Sequence, residues 1–273
     1  MPNFLNLFSL TFTGLLLITL NCTRQSKYNT SKNSLDSSSY TKVSDGIQGA
    51  ESEIEDSINV LIVTGMDHPA HKWRKTTPAL RAELTKDPRM KIDVLEDPYQ
   101  LEVVELDNYD VVFLHFNNWK KPDPNAKAKK NLKQFVAQGG GLFLLHFACG
   151  AFRNWEEYTK IAGKVWDGEN THDPRGKFRV EIVNHQHPVT REMETYETDD
   201  ELYIGVKGEK EVILLARARS KITKRYHPMA FAHTYGKGRV FNTPLGHDVR
   251  AIQIEGTANM IRNGVIWVAG RAL

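Results

Sequence analysis

Histidines, indoles and carboxylates gather where the chain's apolar runs stop. Met66-Asp67-His68-Pro69-Ala70-His71-Lys72-Trp73 follows Ile58 to Thr64, His115-Phe116-Asn117-Asn118-Trp119 closes Tyr109 to Phe116, and His146-Phe147-Ala148-Cys149-Gly150 closes Leu142 to Phe147. Imidazole changes charge near neutral pH, whereas indole offers a flat apolar face and one N–H donor. Together they suit a sugar, which has CH faces to stack and hydroxyls to hydrogen-bond. Acidic partners come later, in Asp199-Asp200-Glu201-Leu202-Tyr203 and in Pro244-Leu245-Gly246-His247-Asp248. A carboxylate beside a histidine fixes its tautomer and raises its basicity, as acid–base catalysis requires. His172 and Asp173, in the stretch from Gly168 to Gly176, read either as a segment that closes over such a site or as an ordinary surface loop.

Each residue also has a plainer reading. His115 and His146 could be satisfied core histidines, and Trp73 and Trp119 hydrophobic plugs over the sheet. Trp166 and Trp267 read as core, and His185 and His187 as a surface turn. Cys149 follows a strand, but Phe147 stands two positions before it, so the flanks do not form a Gly-x-Cys-x-Gly elbow and a small buried thiol is expected. Imidazoles and carboxylates would suit a divalent metal, although no tight ligand spacing is present.

The elements that must position these groups follow from periodicity. Ile58 to Thr64 and Leu142 to Phe147 are continuous apolar runs, the mark of strands buried on both faces of a parallel sheet, and Met90 to Leu95 and Tyr109 to Phe116 add two more. A helix is expected to start at Thr76-Thr77-Pro78, and a second to present Leu132, Phe135 and Val136 on one face, its lysines solvated, before Gly139-Gly140-Gly141. Strands alternating with helices predict a doubly wound α/β sheet, whose ligands bind beyond the carboxyl ends of its strands. Phe178 to Val183, Glu211 to Ala216 and a hairpin over Met229 to Thr243 make the second half more antiparallel, and a helix through Ala258, Ile261, Val265 and Val268 closes the chain.

Of 273 residues 40% are hydrophobic, the profile of an ordinary globular protein. Residues 1–57 hold four basic and six acidic residues against 32 and 27 beyond, so the rest of the chain is only mildly basic and a nucleic-acid partner is not expected. Residues 23–57 contain nine serines and few large apolar side chains, which reads as a tether ahead of a domain over 58–273. Before it, no charge precedes Arg24, the run Leu10 to Leu20 is apolar, and Leu-Ile-Thr-Leu-Asn ahead of Cys22 resembles a relaxed bacterial lipoprotein signal. That reading makes 1–22 a signal peptide, Cys22 the lipidated residue, and the lipid the only membrane contact of an exported envelope protein; otherwise the protein would be periplasmic or secreted.

Val63-Thr64-Gly65 with His68, Thr76-Thr77-Pro78, Tyr109-Asp110-Val111-Val112, Gly139-Gly140-Gly141-Leu142 with Leu145-His146-Phe147, His187-Pro188-Val189-Thr190, Asp200-Glu201-Leu202-Tyr203, Gly236-Lys237-Gly238-Arg239-Val240 and Gly246-His247-Asp248 occur in that order. The series resembles the ThuA-like, trehalose-utilisation family. The resemblance implies a three-layer α/β sandwich of the class I glutamine amidotransferase-like, flavodoxin-like kind, without amidotransferase chemistry. It further implies a small sugar or glycoside partner, a disaccharide handled through keto-sugar intermediates. On that basis His146 and His247 are expected as base or acid, with Asp248 or Glu201 orienting them, a divalent metal assisting if one is held. His68, Trp73, His115, Asn117, Trp119, His172 and Tyr203 are the expected substrate contacts. A non-catalytic sugar-binding lipoprotein is the alternative.

Overall fold

The computed structural model describes residues 56–166 and 171–273. The expected signal, Cys22 and all but the last residues of the tether lie outside the described residues, as does Gly168. Nine strands form one sheet in the order β2-β1-β3-β4-β9-β8-β7-β5-β6. Five are parallel: β1 (Ile58–Val63), β2 (Met90–Leu95), β3 (Val111–Leu114), β4 (Gly141–Leu145) and β9 (Gly238–Thr243). The remainder form an antiparallel wing: β8 (Tyr226–Tyr235), β7 (Ile213–Arg219), β5 (Gly176–Ile182) and the edge strand β6 (Tyr196–Asp200).

Side chains of the parallel strands alternate between two cores, as the two-residue period of a strand requires. Ile58, Val60, Ile62, Phe143 and Phe241 pack with α1 (Trp73–Leu84) and α5 (Glu255–Val268), while Leu61, Val63, Leu142, Leu144 and Val240 pack with α2 (Ala126–Gln138) and α3 (Glu156–Ala162). The result is the doubly wound, three-layer arrangement with antiparallel additions. Among the described residues no helix is long and apolar enough to cross a membrane.

One local expectation needs correction, and one strand was not expected. Helix α1 begins at Trp73, a turn before Thr76, so Pro78 lies inside it rather than in its first turn. Strand β6 reads Tyr-Glu-Thr-Asp-Asp and has no apolar run, because only Thr198 and Asp200 of its five residues are buried. The lysine face of α2 is solvated as expected: Lys127, Lys130 and Lys133 are exposed, and Lys129 pairs with Asp123 at 2.8 Å.

At the end of β1 the chain turns at Gly65, whose φ of +107° and a Cβ position 1.6 Å from the Glu96 carbonyl oxygen admit only glycine. This close passage of the β2 end starts the loop that carries His68 and His71.

Candidate active site

The loops after β1, β4 and β9 converge with the segment after β6. His146 directly follows β4, fully buried, in a left-handed conformation at φ +52° that a β-carbon strains. Its Nδ1 lies 2.8 Å from the Pro244 carbonyl oxygen, so Nδ1 carries the proton and donates, and Nε2 carries a lone pair. Around that lone pair stand His71 Nε2 at 3.1 Å, His247 Nδ1 at 3.2 Å, the Tyr203 hydroxyl at 3.3 Å and Glu201 Oε2 at 3.7 Å. His247 Nδ1 is also 3.1 Å from Glu201 Oε2.

The tautomer of His71 follows in the same way. The Ala70 N–H donates to His68 Nδ1 at 3.2 Å, so His68 Nδ1 is an acceptor and the His71 Nδ1 3.0 Å away must donate to it. His71 Nε2 therefore also carries a lone pair. Two imidazole lone pairs facing each other across 3.1 Å repel unless a cation or a proton lies between them. Ligand atoms of His71, His146, Glu201 and His247 all lie within 4.8 Å of one another, and this group could hold a metal ion. Zinc–nitrogen bonds of about 2.0–2.1 Å place tetrahedral ligands about 3.3 Å apart, close to the spacing around His146 Nε2. The bonds from the outer nitrogens to Pro244 and His68 are the supports that orient metal-binding imidazoles.

Electrostatics agree with neutral ligands. Burial, reinforced by His247 and His68, pushes His71 down to about 2, and burial with His71 and His247 holds His146 well below the ordinary histidine range. Burial also lowers His247, but the hydrogen bond and charge of Glu201 outweigh it and raise that imidazole.

A cavity of about 250 Å³ opens above the cluster, with His71 and Glu201 in its wall, beside His68, Asn117, Phe147, His172 and Tyr203. Its aromatic side is the stacked pair Trp119 and Trp166, ring centres 5.6 Å apart and 9° from parallel. Trp166, expected in the core, is thus a cavity wall. Phe147 lies flat against the His71 ring at 4.1 Å and fixes its plane. His172 donates from Nδ1 to the Asp173 carbonyl oxygen at 2.8 Å, leaving Nε2 3.7 Å from Glu201 Oε1.

Other expected residues are placed elsewhere. His115 is buried beneath Phe147, with Nε2 2.8 Å from the Thr76 hydroxyl, and burial pushes it down to about 3; it lines no part of the cavity. Trp73 is buried and donates to Asp67 Oδ1 at 2.8 Å, holding the loop rather than facing the cavity. Asp248 caps helix α4 (Val249–Gln253) by accepting from Ala251 N at 3.0 Å and pairs with Arg175, so Glu201 and not Asp248 is the carboxylate on His247. Cys149 is buried and desolvation pushes its thiol up to about 12, as a small core thiol requires. His187, expected in a surface turn with His185, is mostly buried against Trp267, whereas His185 is exposed. The sequence reading missed His71 as a site residue. Its signal was the His-x-x-His spacing with His68, which puts two imidazoles in one tight turn.

A mixed, doubly wound sheet carrying a histidine–carboxylate cluster at its strand ends defines an α/β protein with a switch-point site. The chain belongs to the ThuA family, described as trehalose utilisation, whose model matches residues 59–268. A ThuA-like protein from Parabacteroides merdae is 23% identical, with a TM-score of 0.71 over 79% of this chain and 91% of that one. A ThuA-like protein from Bacteroides uniformis is 17% identical, with a TM-score of 0.60 over 78% and 91%. A glutamine amidotransferase from Thermotoga maritima is 12% identical, with a TM-score of 0.48 over 78% and 98%. No curated protein matches the chain.

Proposed function

We propose that this domain is a carbohydrate-processing enzyme of the cell envelope, acting on a keto-disaccharide or glycoside, with a divalent cation held by His71, His146, His247 and Glu201. The observation that carries this reading is the pair of imidazole lone pairs, His71 Nε2 and His146 Nε2, facing each other at 3.1 Å directly behind an aromatic-sided cavity that His71 lines. When bound, such a cation supplies Lewis-acid stabilisation of charge developing on a sugar carbonyl oxygen.

The chain's own groups account for the remaining steps. Trp119 and Trp166 offer a platform for the CH face of a sugar ring. A keto group acidifies the neighbouring C–H, and the His172 Nε2 lone pair is placed at the cavity to take that proton. The electron pair left behind forms the enolate. Its collapse with loss of the substituent on the next carbon gives elimination, and reprotonation gives isomerisation. Tyr203, its phenol held well above the ordinary range by burial, stays protonated and can return a proton to oxygen. His146 and His247 would hold the cation rather than touch substrate, because neither lines the cavity.

Export with a lipid on Cys22 belongs to the same proposal; Cys22→Ser should abolish labelling by a fatty-acid analogue, and unchanged labelling would refute it. For the chemistry, chelator-treated protein is expected to lose turnover of a 3-keto-disaccharide by about 100-fold or more and regain it with Zn²⁺, Co²⁺ or Mn²⁺. Turnover untouched by chelation refutes the metal-assisted reading. The stacked indole pair supports a second reading, a non-catalytic sugar receptor. In that case the keto-sugar is recovered unchanged, and Trp119→Ala weakens binding more than any histidine change.

A further inference from the structure

Asp200, the last residue of β6, is fully buried and lines no part of the cavity. A carboxylate is retained in an interior only where partners offset its desolvation. Its partners here are three backbone N–H groups: Glu201 N at 2.8 Å and His247 N at 3.2 Å donate to Oδ1, and Gly246 N at 2.6 Å donates to Oδ2. Two of the three belong to residues of the candidate metal cluster.

Those two residues come from different parts of the sheet. Glu201 continues from β6 at the edge of the antiparallel wing, whereas His247 follows β9 in the parallel half. Gly246 turns at φ +99°, so its amide points back to Asp200 while the chain delivers His247 to the cluster. We infer that Asp200 is a positioning residue that clamps the β6 end to the loop after β9 and so sets the 3.1 Å contact between Glu201 Oε2 and His247 Nδ1. The inference rests on the metal reading for its binding consequence and on geometry alone for the clamp.

Asn is the informative replacement. It has the shape of Asp, and its oxygen can still accept from two amides, but its NH₂ would face the third N–H, donor against donor. The clamp opens while the fold keeps its packing. Asp200→Asn is compared with Val180→Ala, which trims the core of the wing without touching any of the three donors; Asp200→Ser serves if the Asn protein fails to fold. Two readouts are taken: Co²⁺ affinity with its visible spectrum, and the imidazole ¹⁵N resonances of His247 in metal-free protein. The expected result is a loss of Co²⁺ affinity of about tenfold or more, an altered spectrum, and a shifted His247 Nδ1 resonance in the Asp200 variants only. If the wild type binds no Co²⁺, the metal reading fails, and the ¹⁵N comparison alone decides the clamp. His247 resonances unchanged in the Asp200 variants, or moved equally by Val180→Ala, overturn the inference.

Discussion

The parallel half and the antiparallel wing contribute different chemistry to one site. From the ends of β1, β4 and β9 the parallel half brings His71, His146 and His247, while the wing brings Glu201 and Tyr203 just beyond β6. Strands β1, β3, β4 and β9 of the parallel half are almost entirely buried, which provides a stiff frame and the low dielectric that keeps two of its imidazoles neutral. The wing is more exposed, with Ile213, Leu214 and Tyr226 open to solvent, and it supplies the oxygen groups. The site is therefore a seam, nitrogen donors on one side and oxygen groups on the other, and its geometry depends on how the two halves are joined.

Breaking the parallel side should cost most. His71→Gln and His247→Gln are each expected to keep the fold yet lower both Zn²⁺ affinity and keto-sugar turnover by about 100-fold or more, read by metal titration and steady-state kinetics. A change that spares both quantities would remove that residue from the cluster. On the wing side, Glu201→Gln keeps an oxygen ligand but loses the charge, so a smaller loss of metal affinity, about tenfold, is expected. Equal losses on both sides would erase the distinction.

A pH effect comes from His115, which belongs to the parallel half but stands outside the cluster. Its pKa is depressed from the unfolded value to about 3, so the stability it contributes is present above about 6.5 and is lost as pH falls from there toward 3. His115→Asn should flatten the decline of denaturant stability over that window, and an unchanged slope would contradict the assignment. Asp248→Ala should cost about 1 kcal/mol of stability through the lost cap and leave Zn²⁺ affinity intact. The smallest effect is expected at Cys149. Its thiol stays protonated at pH 8, so the native protein should resist thiol reagents, and Cys149→Ala should alter turnover little; a 1000-fold loss would reinstate a nucleophilic thiol.

The same contrast governs how much was legible in the sequence. Continuous apolar runs such as Val111–Leu114 and Gly141–Leu145 announce doubly buried strands, and the residues after them are then site candidates on topology alone. Edge strand β6 alternates polar side chains and carries no such signal, although it sets the position of Glu201. His146 and Glu201 were named without their partner His71, because which of two histidines in a tight turn faces inward depends on the ring of Phe147 stacked on it from another loop. Asp248 stood next to His247 in sequence, but adjacent residues point apart, and its carboxylate went to a helix cap and Arg175.

X-ray absorption at the zinc edge of the Zn²⁺-loaded protein is the most direct test that His71, His146, His247 and Glu201 close on one cation. The expected result is one ion per chain with a first shell of nitrogen and oxygen only, at about 2.0–2.1 Å, and the multiple scattering of imidazole rings, weakened in His71→Gln. Loss of the ion on desalting, a sulfur scatterer in the first shell, or a spectrum identical in His71→Gln would contradict it.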